Sequence, residues 1–279
     1  MAFSEILDEP IALPCHGIYV HWGFSSRHHC LEWEIAVRTD PGTSVGEYLA
    51  LFNGDIDGAQ CYLGLQTNVS HPDRGRRIGK GLIFSTWWTF DGADTRIATD
   101  GFRELGTHEG RFVGVRRPYA WAVGSYRVRL ARSEPDLVAG RETDWFDLWI
   151  MPVEPAPVIP PGHGRSSARP GVTGPMEWVG GLRFPRRSRG EPATIGSGGV
   201  TFFEVYSGAA TWADVAPWHV GVMAYGDGER CPAGRTEYPR YPHDQLMPNA
   251  NVRYDPLTGL VELAAGSGVV QREGPSRWP

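Results

Sequence analysis

Residues 61–88 read CYLGLQTNVSHPDRGRRIGKGLIFSTWW, and this stretch indicates the fold more clearly than any other part of the chain. Two short apolar segments, CYLGLQTN and GLIFSTWW, flank a polar and basic loop. Short runs rich in apolar and aromatic residues, separated by a polar turn region, are typical of neighbouring β-strands. The stretch therefore predicts two strands that end in a pair of tryptophans.

The same period of two recurs along the chain. In LEWEIAVR, residues 31–38, the odd positions are apolar and most even positions are charged, as a half-buried strand requires. SYRVRLA, residues 125–131, alternates in the same way, and DWFDLWIM, residues 144–151, places Phe146, Leu148 and Ile150 on the face of Asp144. No segment sustains an apolar 3.6-residue period over three turns, so the sequence predicts an all-β antiparallel β-sandwich.

A proline- and glycine-rich stretch, residues 152–174, divides the chain unevenly. Such a stretch is typical of a linker or of a long surface crossing. In the first case a β-sandwich region, residues 1–151, precedes a smaller β-rich carboxy-terminal region, residues 175–279. In the second case both regions belong to one sandwich, and the sequence leaves the two alternatives open.

Charge and hydropathy argue against several classes of protein. The formal net charge of −5 argues against a general nucleic-acid binder. No segment approaches the ~20 consecutive apolar residues that cross a bilayer, so we expect no membrane partner. The amino terminus lacks a basic segment followed by an apolar core, which predicts a cytoplasmic protein, although a mature secreted form also fits. The oligomeric state stays open.

The four cysteines are too few and too scattered for a disulfide scaffold in a chain of 279 residues, and we expect reduced thiols. Cys15-His16 and the His28–Cys30 segment lack the paired spacing that holds tetrahedral zinc. The sequence also lacks a phosphate-binding loop and a dinucleotide-binding motif. We therefore predict no metal and no cofactor.

Five short motifs follow one another between residues 62 and 185, namely YLGLQTN, GLIFSTWW, HEG, WAVGSYR and WVGGLRFP. In this order they resemble the bacterial domain-of-unknown-function 3472 family, and the resemblance covers roughly residues 19–206. The family pattern of a glycine-containing strand ending in Gln and a Phe-Ser-x-Trp strand matches residues 62–66 and 84–87. This chain departs from it by a basic loop, by a doubled tryptophan and by the lack of a second glycine-rich stretch. The resemblance implies a lectin-like or jelly-roll sandwich related to carbohydrate proteins, with no catalytic residues to transfer.

The candidate ligand-binding residues combine amides with indoles. Gln66 and Asn68 share one face of their predicted strand, while Trp87 and Trp88 end the next strand. Indoles stack on the apolar faces of pyranose rings, and planar amides bind sugar hydroxyls, so a carbohydrate or another small molecule is the expected ligand. The alternative is structural, with one tryptophan filling the core and the other covering an edge.

Two charged residues, Arg183 and Glu204, interrupt otherwise apolar strands. An unpaired ion in such a strand is costly, so pairing between the two is one expectation, and it would be either architectural or part of a ligand pocket. The basic loop at residues 71–80 is open to the same two interpretations, as an anion site or as a solvated hairpin tip.

A second class of function is enzymatic. His108 and Glu109 lie between glycines and form a candidate acid-base pair. With Glu204 and His219 they would transfer protons in a metal-independent cyclase, isomerase or lyase that acts on a small metabolite. The sequence favours a glycan-binding or glycan-associated sandwich over this alternative, and it leaves open whether the protein is an enzyme.

Overall fold

The computed structural model describes residues 8, 10–24, 26–71, 77–107, 110–154, 171–237 and 249–269. Within these ranges the chain forms seventeen β-strands and two short 3₁₀ segments, Gly92–Asp94 and Trp212–Asp214. The strands are β1 (Cys15–Gly23), β2 (Cys30–Thr39), β3 (Gly46–Ile56), β4 (Ala59–Ser70), β5 (Arg77–Thr86), β6 (Thr95–Ile97), β7 (Phe102–Gly106), β8 (Phe112–Pro118), β9 (Gly124–Val138), β10 (Arg141–Pro152), β11 (Glu177–Pro185), β12 (Ile195–Ser207), β13 (Trp218–Gly226), β14 (Glu229–Cys231), β15 (Ala233–Glu237), β16 (Ala250–Asp255) and β17 (Leu260–Ala265).

The strands form two antiparallel sheets packed face to face. The eight-stranded sheet has the order β15-β1-β12-β3-β4-β5-β8-β7. The nine-stranded sheet has the order β16-β17-β13-β2-β9-β10-β11-β6, with β14 paired to β13. The predicted all-β antiparallel sandwich is confirmed.

The core between the sheets is built from alternate residues of each strand. The apolar positions of β2 are at most 3% exposed, as their period of two predicts, and Phe146, Leu148 and Ile150 of β10 are fully buried. Asp144 also points inward, where its carboxylate accepts hydrogen bonds from Arg186 Nε at 2.8 Å and Arg186 Nη2 at 2.9 Å. This two-point pairing offsets the cost of burying the charge.

The stretch at residues 61–88 forms two neighbouring strands. β4 and β5 pair antiparallel, with Leu63 opposite Phe84, and both side chains are buried in the core. Because successive side chains alternate between the two sides of a strand, Gln66 and Ile83 point away from the core. Residues 72–76 of the basic loop lie outside the described residues.

Strands from both sides of the proline-rich stretch lie next to each other in both sheets. β12 is inserted between β1 and β3, and β13 between β17 and β2. The regions 1–151 and 175–279 therefore share both sheets and one core, while residues 155–170 lie outside the described part of the chain. None of the helical segments in the described ranges has the length and apolar character needed to span a bilayer.

Candidate functional site

The outer face of the eight-stranded sheet, the side turned away from the nine-stranded sheet, carries a polar row across four strands. His16 of β1 is opposite Glu204 of β12, Glu204 is opposite Tyr48 of β3, and Tyr48 is opposite Gln66 of β4. Directly opposite residues on neighbouring strands project to the same side, with strands ~4.8 Å apart. We call His16, Glu204, Tyr48 and Gln66 the outer row.

Beside the outer row lies a small apolar cluster that is separate from the core. Tyr48, Ala50, Ile83 and Phe202 are its buried members. Partly buried residues that pack against it are Tyr19, Tyr62, Val200 and Tyr206. The outer face is therefore an aromatic surface with a polar row along it, which is the composition of a small-molecule site.

Several polar atoms on this face are buried without a hydrogen-bond partner. Gln66 is 7% exposed, and no donor among the described residues reaches its Oε1. The same holds for Ser85 Oγ and Arg116 Nε, each without a partner within the described ranges. A buried polar atom that lacks a partner costs about 1–3 kcal/mol. The face thus holds hydrogen-bonding capacity that the described part of the chain does not use.

Asn68 does not share the outer face with Gln66 as predicted, because the register of β4 against β5 shifts between Gln66 and Val69. Its Nδ2 donates to the carbonyl oxygen of Thr43 at 2.9 Å. The hydroxyl of Tyr206 donates to its main-chain oxygen at 2.7 Å. Asn68 therefore fixes local structure, and Gln66 is the amide that remains open to a ligand.

The two predicted tryptophans lie outside the core. Trp87 is half-buried, and its ring centroid lies 4.9 Å from that of Tyr62 and 6.4 Å from that of Phe112. Trp88 is 48% exposed. Trp87 and Tyr62 form an aromatic platform on this face. Neither tryptophan belongs to the core between the sheets, so the structural alternative, in which one of them fills the core, does not apply.

At the other end of the outer row, three groups with acid-base chemistry lie in series. His16 Nδ1 lies 2.5 Å from Tyr19 Oη, and His16 Nε2 lies 3.9 Å from Glu204 Oε1. Burial lowers the pKa of His16, which favours the neutral ring. Such a ring can accept a proton from the phenol while the carboxylate stabilises the resulting cation.

The sequence does not single out His16 and Tyr19, since residues three apart on a regular strand point to opposite sides. The register of β1 against β12 shifts between these two residues. A bulge of this kind re-aims a side chain, and it places both rings on the outer face.

The sequence also does not single out Arg116 of β8, which lies on the same face. It forms a salt bridge with Glu104, and both side chains are mostly buried.

Arg183 lies apart from this face, and the expected Arg183–Glu204 pairing was wrong. Arg183 belongs to β11 in the nine-stranded sheet. Its Nε donates to Asp94 Oδ1 at 2.8 Å, and its Nη1 donates to Asp136 Oδ2 at 3.1 Å. Arg183 and Glu204 belong to different sheets. Arg183 therefore pairs with aspartates near its own sheet, and Glu204 lies near His16.

His219 also lies on the nine-stranded sheet, so it does not share a cleft with Glu204. Its Nε2 is 2.9 Å from Glu262 Oε2. Burial alone would raise the pKa of Glu262, but hydrogen bonds from His219 and Arg38 lower it to about 2. His108 and Glu109 lie outside the described residues.

Two open depressions elsewhere on the molecule do not include the outer row. One, of about 450 Å³, is lined in part by Asp136 and Arg186, whose charges are paired within the fold. The other, of about 510 Å³, includes Lys80 and Trp121, and the Lys80 ammonium lies 4.3 Å from the Trp121 ring centroid. Their charged groups already have partners, so the outer face is the stronger candidate site.

No group of three or more His, Cys, Asp and Glu side chains in the described ranges could hold a metal ion. Comparison of the sequence with models of protein families gives no match, and comparison with curated proteins gives no significant match. The resemblance to the domain-of-unknown-function 3472 family therefore stays a prediction. The case for function is carried by the outer face itself.

Proposed function

We propose that this protein binds a glycan on the outer face of its eight-stranded sheet. The observation that carries the proposal is the buried amide of Gln66, whose Oε1 has no donor within the described residues, on the same face as the Tyr62–Trp87 pair. Gln66 lies four residues along β4 from Tyr62, ~13 Å, so an oligosaccharide can place the apolar face of one ring on the platform and a hydroxyl of another ring at the amide.

Other polar groups of the outer face also suit the hydroxyl groups of a sugar. Glu204 accepts hydrogen bonds from sugar hydroxyls, and the tyrosine hydroxyls of the face donate or accept. The register places Glu204, Tyr48 and Gln66 on three neighbouring strands, so together they span ~10 Å of the sheet. That length suits contact with more than one ring of an oligosaccharide.

The alternative of a small-metabolite enzyme with the predicted residues has less support. Of its four proton-transfer groups, Glu204 lies on the outer face and His219 lies on the other sheet. The other two, His108 and Glu109, lie outside the described residues. The described members of that set therefore do not share one cleft.

The test is a glycan screen with matched tryptophan variants. We expect the wild-type protein to bind a subset of immobilised oligosaccharides, and Trp87→Ala to weaken that binding by roughly 5- to 150-fold, since stacking of a ring on an aromatic side chain contributes ~1–3 kcal/mol. Trp149→Ala is the control, because Trp149 is also half-buried but lies on the nine-stranded sheet beside Trp178. Equal loss in both variants, or no glycan bound by the wild type, would overturn the proposal.

A further inference from the structure

The Glu204–His16–Tyr19 series goes beyond what binding a sugar requires. The ring of His16 lies between a phenol at 2.5 Å and a carboxylate at 3.9 Å. This is the arrangement of a base oriented by a third group, which activates a hydroxyl in many enzymes. All three side chains are partly exposed, so a bound ligand can reach the phenol.

A cation lies within reach of the same phenol. β15 pairs with β1 so that Tyr19 is opposite Glu237 and His21 is opposite Arg235. Arg235 is therefore a diagonal neighbour of Tyr19, a position that long side chains bridge. Its side chain is 50% exposed, and its Nη2 lies 3.8 Å from Glu237 Oε2, which is also 3.1 Å from His21 Nε2. An exposed guanidinium beside a phenol suits a sugar that carries a carboxylate.

We propose that this face cleaves a glycan containing a uronic acid by β-elimination, with Tyr19 as the catalytic residue. The inference rests on the proposed function, since the glycan bound on the outer face is the substrate. His16 and Glu204 are positioning residues that act through Tyr19, and Arg235 binds the carboxylate of the sugar.

The elimination balances without a co-reactant. His16 Nδ1 takes the phenol proton, and the Tyr19 oxygen then takes the ring proton from C5, next to the carboxylate. The electron pair of that C–H bond forms the C4–C5 double bond, and the bond from C4 to the glycosidic oxygen breaks. The departing oxygen takes the proton from Tyr19, and the His16 proton returns to the phenol oxygen.

The spacing of carboxylates favours elimination over hydrolysis. Glycoside hydrolysis generally uses two carboxyl groups ~5–9.5 Å apart on either side of the bond. Glu104 lies five strands from Glu204, ~24 Å across the sheet, and forms a salt bridge with Arg116. Glu237 lies two strands from Glu204, ~10 Å, and is engaged by His21. Elimination needs a single group that acts first as base and then as acid, and Tyr19 supplies it.

The experiment incubates the full chain with alginate, polygalacturonate and hyaluronan, and follows the ultraviolet absorbance of unsaturated uronate ends. We expect turnover of at least one polymer, and we expect Tyr19→Phe to lower kcat at least ~100-fold while its binding of that polymer is unchanged. His16→Gln should lower kcat with KM unchanged, and Arg235→Ala should raise KM. Tyr225→Phe, on the nine-stranded sheet, is the control and keeps full activity.

The outcomes separate this inference from the proposed function. Binding of a polyuronate without unsaturated products overturns the elimination and leaves glycan binding standing. New reducing ends without unsaturation show hydrolysis and also overturn it, whereas absence of all glycan binding overturns both. Tyr19→Phe retains the ring that packs 5.2 Å from Phe202, and circular dichroism verifies its fold. Full activity in that folded variant would exclude Tyr19 as the catalytic residue.

Discussion

The outer faces of the two sheets differ in how their polar side chains are satisfied. On the nine-stranded sheet, charges that leave the core are paired. Arg127 Nη2 is 3.0 Å from Glu34 Oε1, Arg183 binds two aspartates, and His219 binds Glu262. On the eight-stranded sheet Arg116 pairs with Glu104, but Gln66 Oε1 and Ser85 Oγ are buried on the outer face without a partner in the described ranges. The indoles of Trp33 and Trp218 on the nine-stranded sheet also lack a described partner, but they belong to the core.

This difference distinguishes polar groups that stabilise the fold from polar groups that are available to a ligand. A paired charge on a sheet face is satisfied in the free protein, so its removal is felt as lost stability. A buried polar atom without a partner reduces stability, and it is explained if another molecule satisfies it. The comparison therefore predicts that substitutions of the paired charges on the nine-stranded sheet affect stability, and that substitutions on the outer face of the eight-stranded sheet affect binding.

The largest effect on stability is expected at Glu47. This residue is a buried polar group on the inner side of the eight-stranded sheet. Glu47 is 3% exposed, and burial, partly opposed by a hydrogen bond from the Ala216 amide, raises its pKa to about 8 from 4.5. The folded state holds this proton more tightly than the unfolded state, so stability is full below pH 4.5 and falls as pH rises towards 8. The loss is on the order of 5 kcal/mol, since one pKa unit corresponds to about 1.4 kcal/mol.

Glu47→Gln keeps the shape of the side chain and removes the titration. We expect urea denaturation to show a flat free energy of unfolding for the variant over this pH range, after allowance for other groups, while that of the wild type declines. Parallel curves for the two proteins would show that Glu47 is ionised in the folded state. That result would weaken the contrast between the sheets.

The next effect tests the paired face. Glu34 and Arg127 are mostly buried, and the hydroxyl of Tyr225 donates to Glu34 Oε2 at 3.1 Å. Glu34→Leu leaves the guanidinium without its partner, and we expect a loss of roughly 3 kcal/mol in the free energy of unfolding. The double variant with Arg127→Met should recover most of this loss, because no buried charge remains.

Glycan affinity is the second quantity to be measured in the variants of this double-mutant cycle. We expect the affinity for the glycan to be unchanged in Glu34→Leu, in Arg127→Met and in the double variant, since the pair lies on the opposite side of the sandwich. A loss of affinity that follows the loss of stability would show that the two sheets are energetically coupled. In that case the division into a structural face and a functional face fails.

Whether the sequence predicts a feature depends on how far apart in the chain the interacting residues lie. Alternation along a strand is local, so the inward positions of β2 and β10 are readable in advance. The expected shared face of Gln66 and Asn68 is wrong, because the register of β4 against β5 shifts between Gln66 and Val69. The partner of Arg183 is not readable in advance, because Asp94 precedes β6, far away in sequence. The joint position of His16 and Tyr19 depends on a register shift against β12, and local alternation predicts the opposite arrangement.

The smallest effect on stability, and the sharpest contrast with Glu34, is expected at Gln66. Gln66→Leu fills a similar volume and removes an acceptor that has no donor within the described ranges. We therefore expect the free energy of unfolding to stay the same or to rise by up to ~1 kcal/mol. Glycan affinity should fall at least tenfold, because the hydroxyl that the amide binds is then left without a partner. Asn68→Leu is the comparison, since it breaks the hydrogen bond to Thr43 and should lower stability. If Gln66→Leu unfolds more easily and binds normally, the amide is structural, and the outer face loses the observation on which its assignment as a binding site depends.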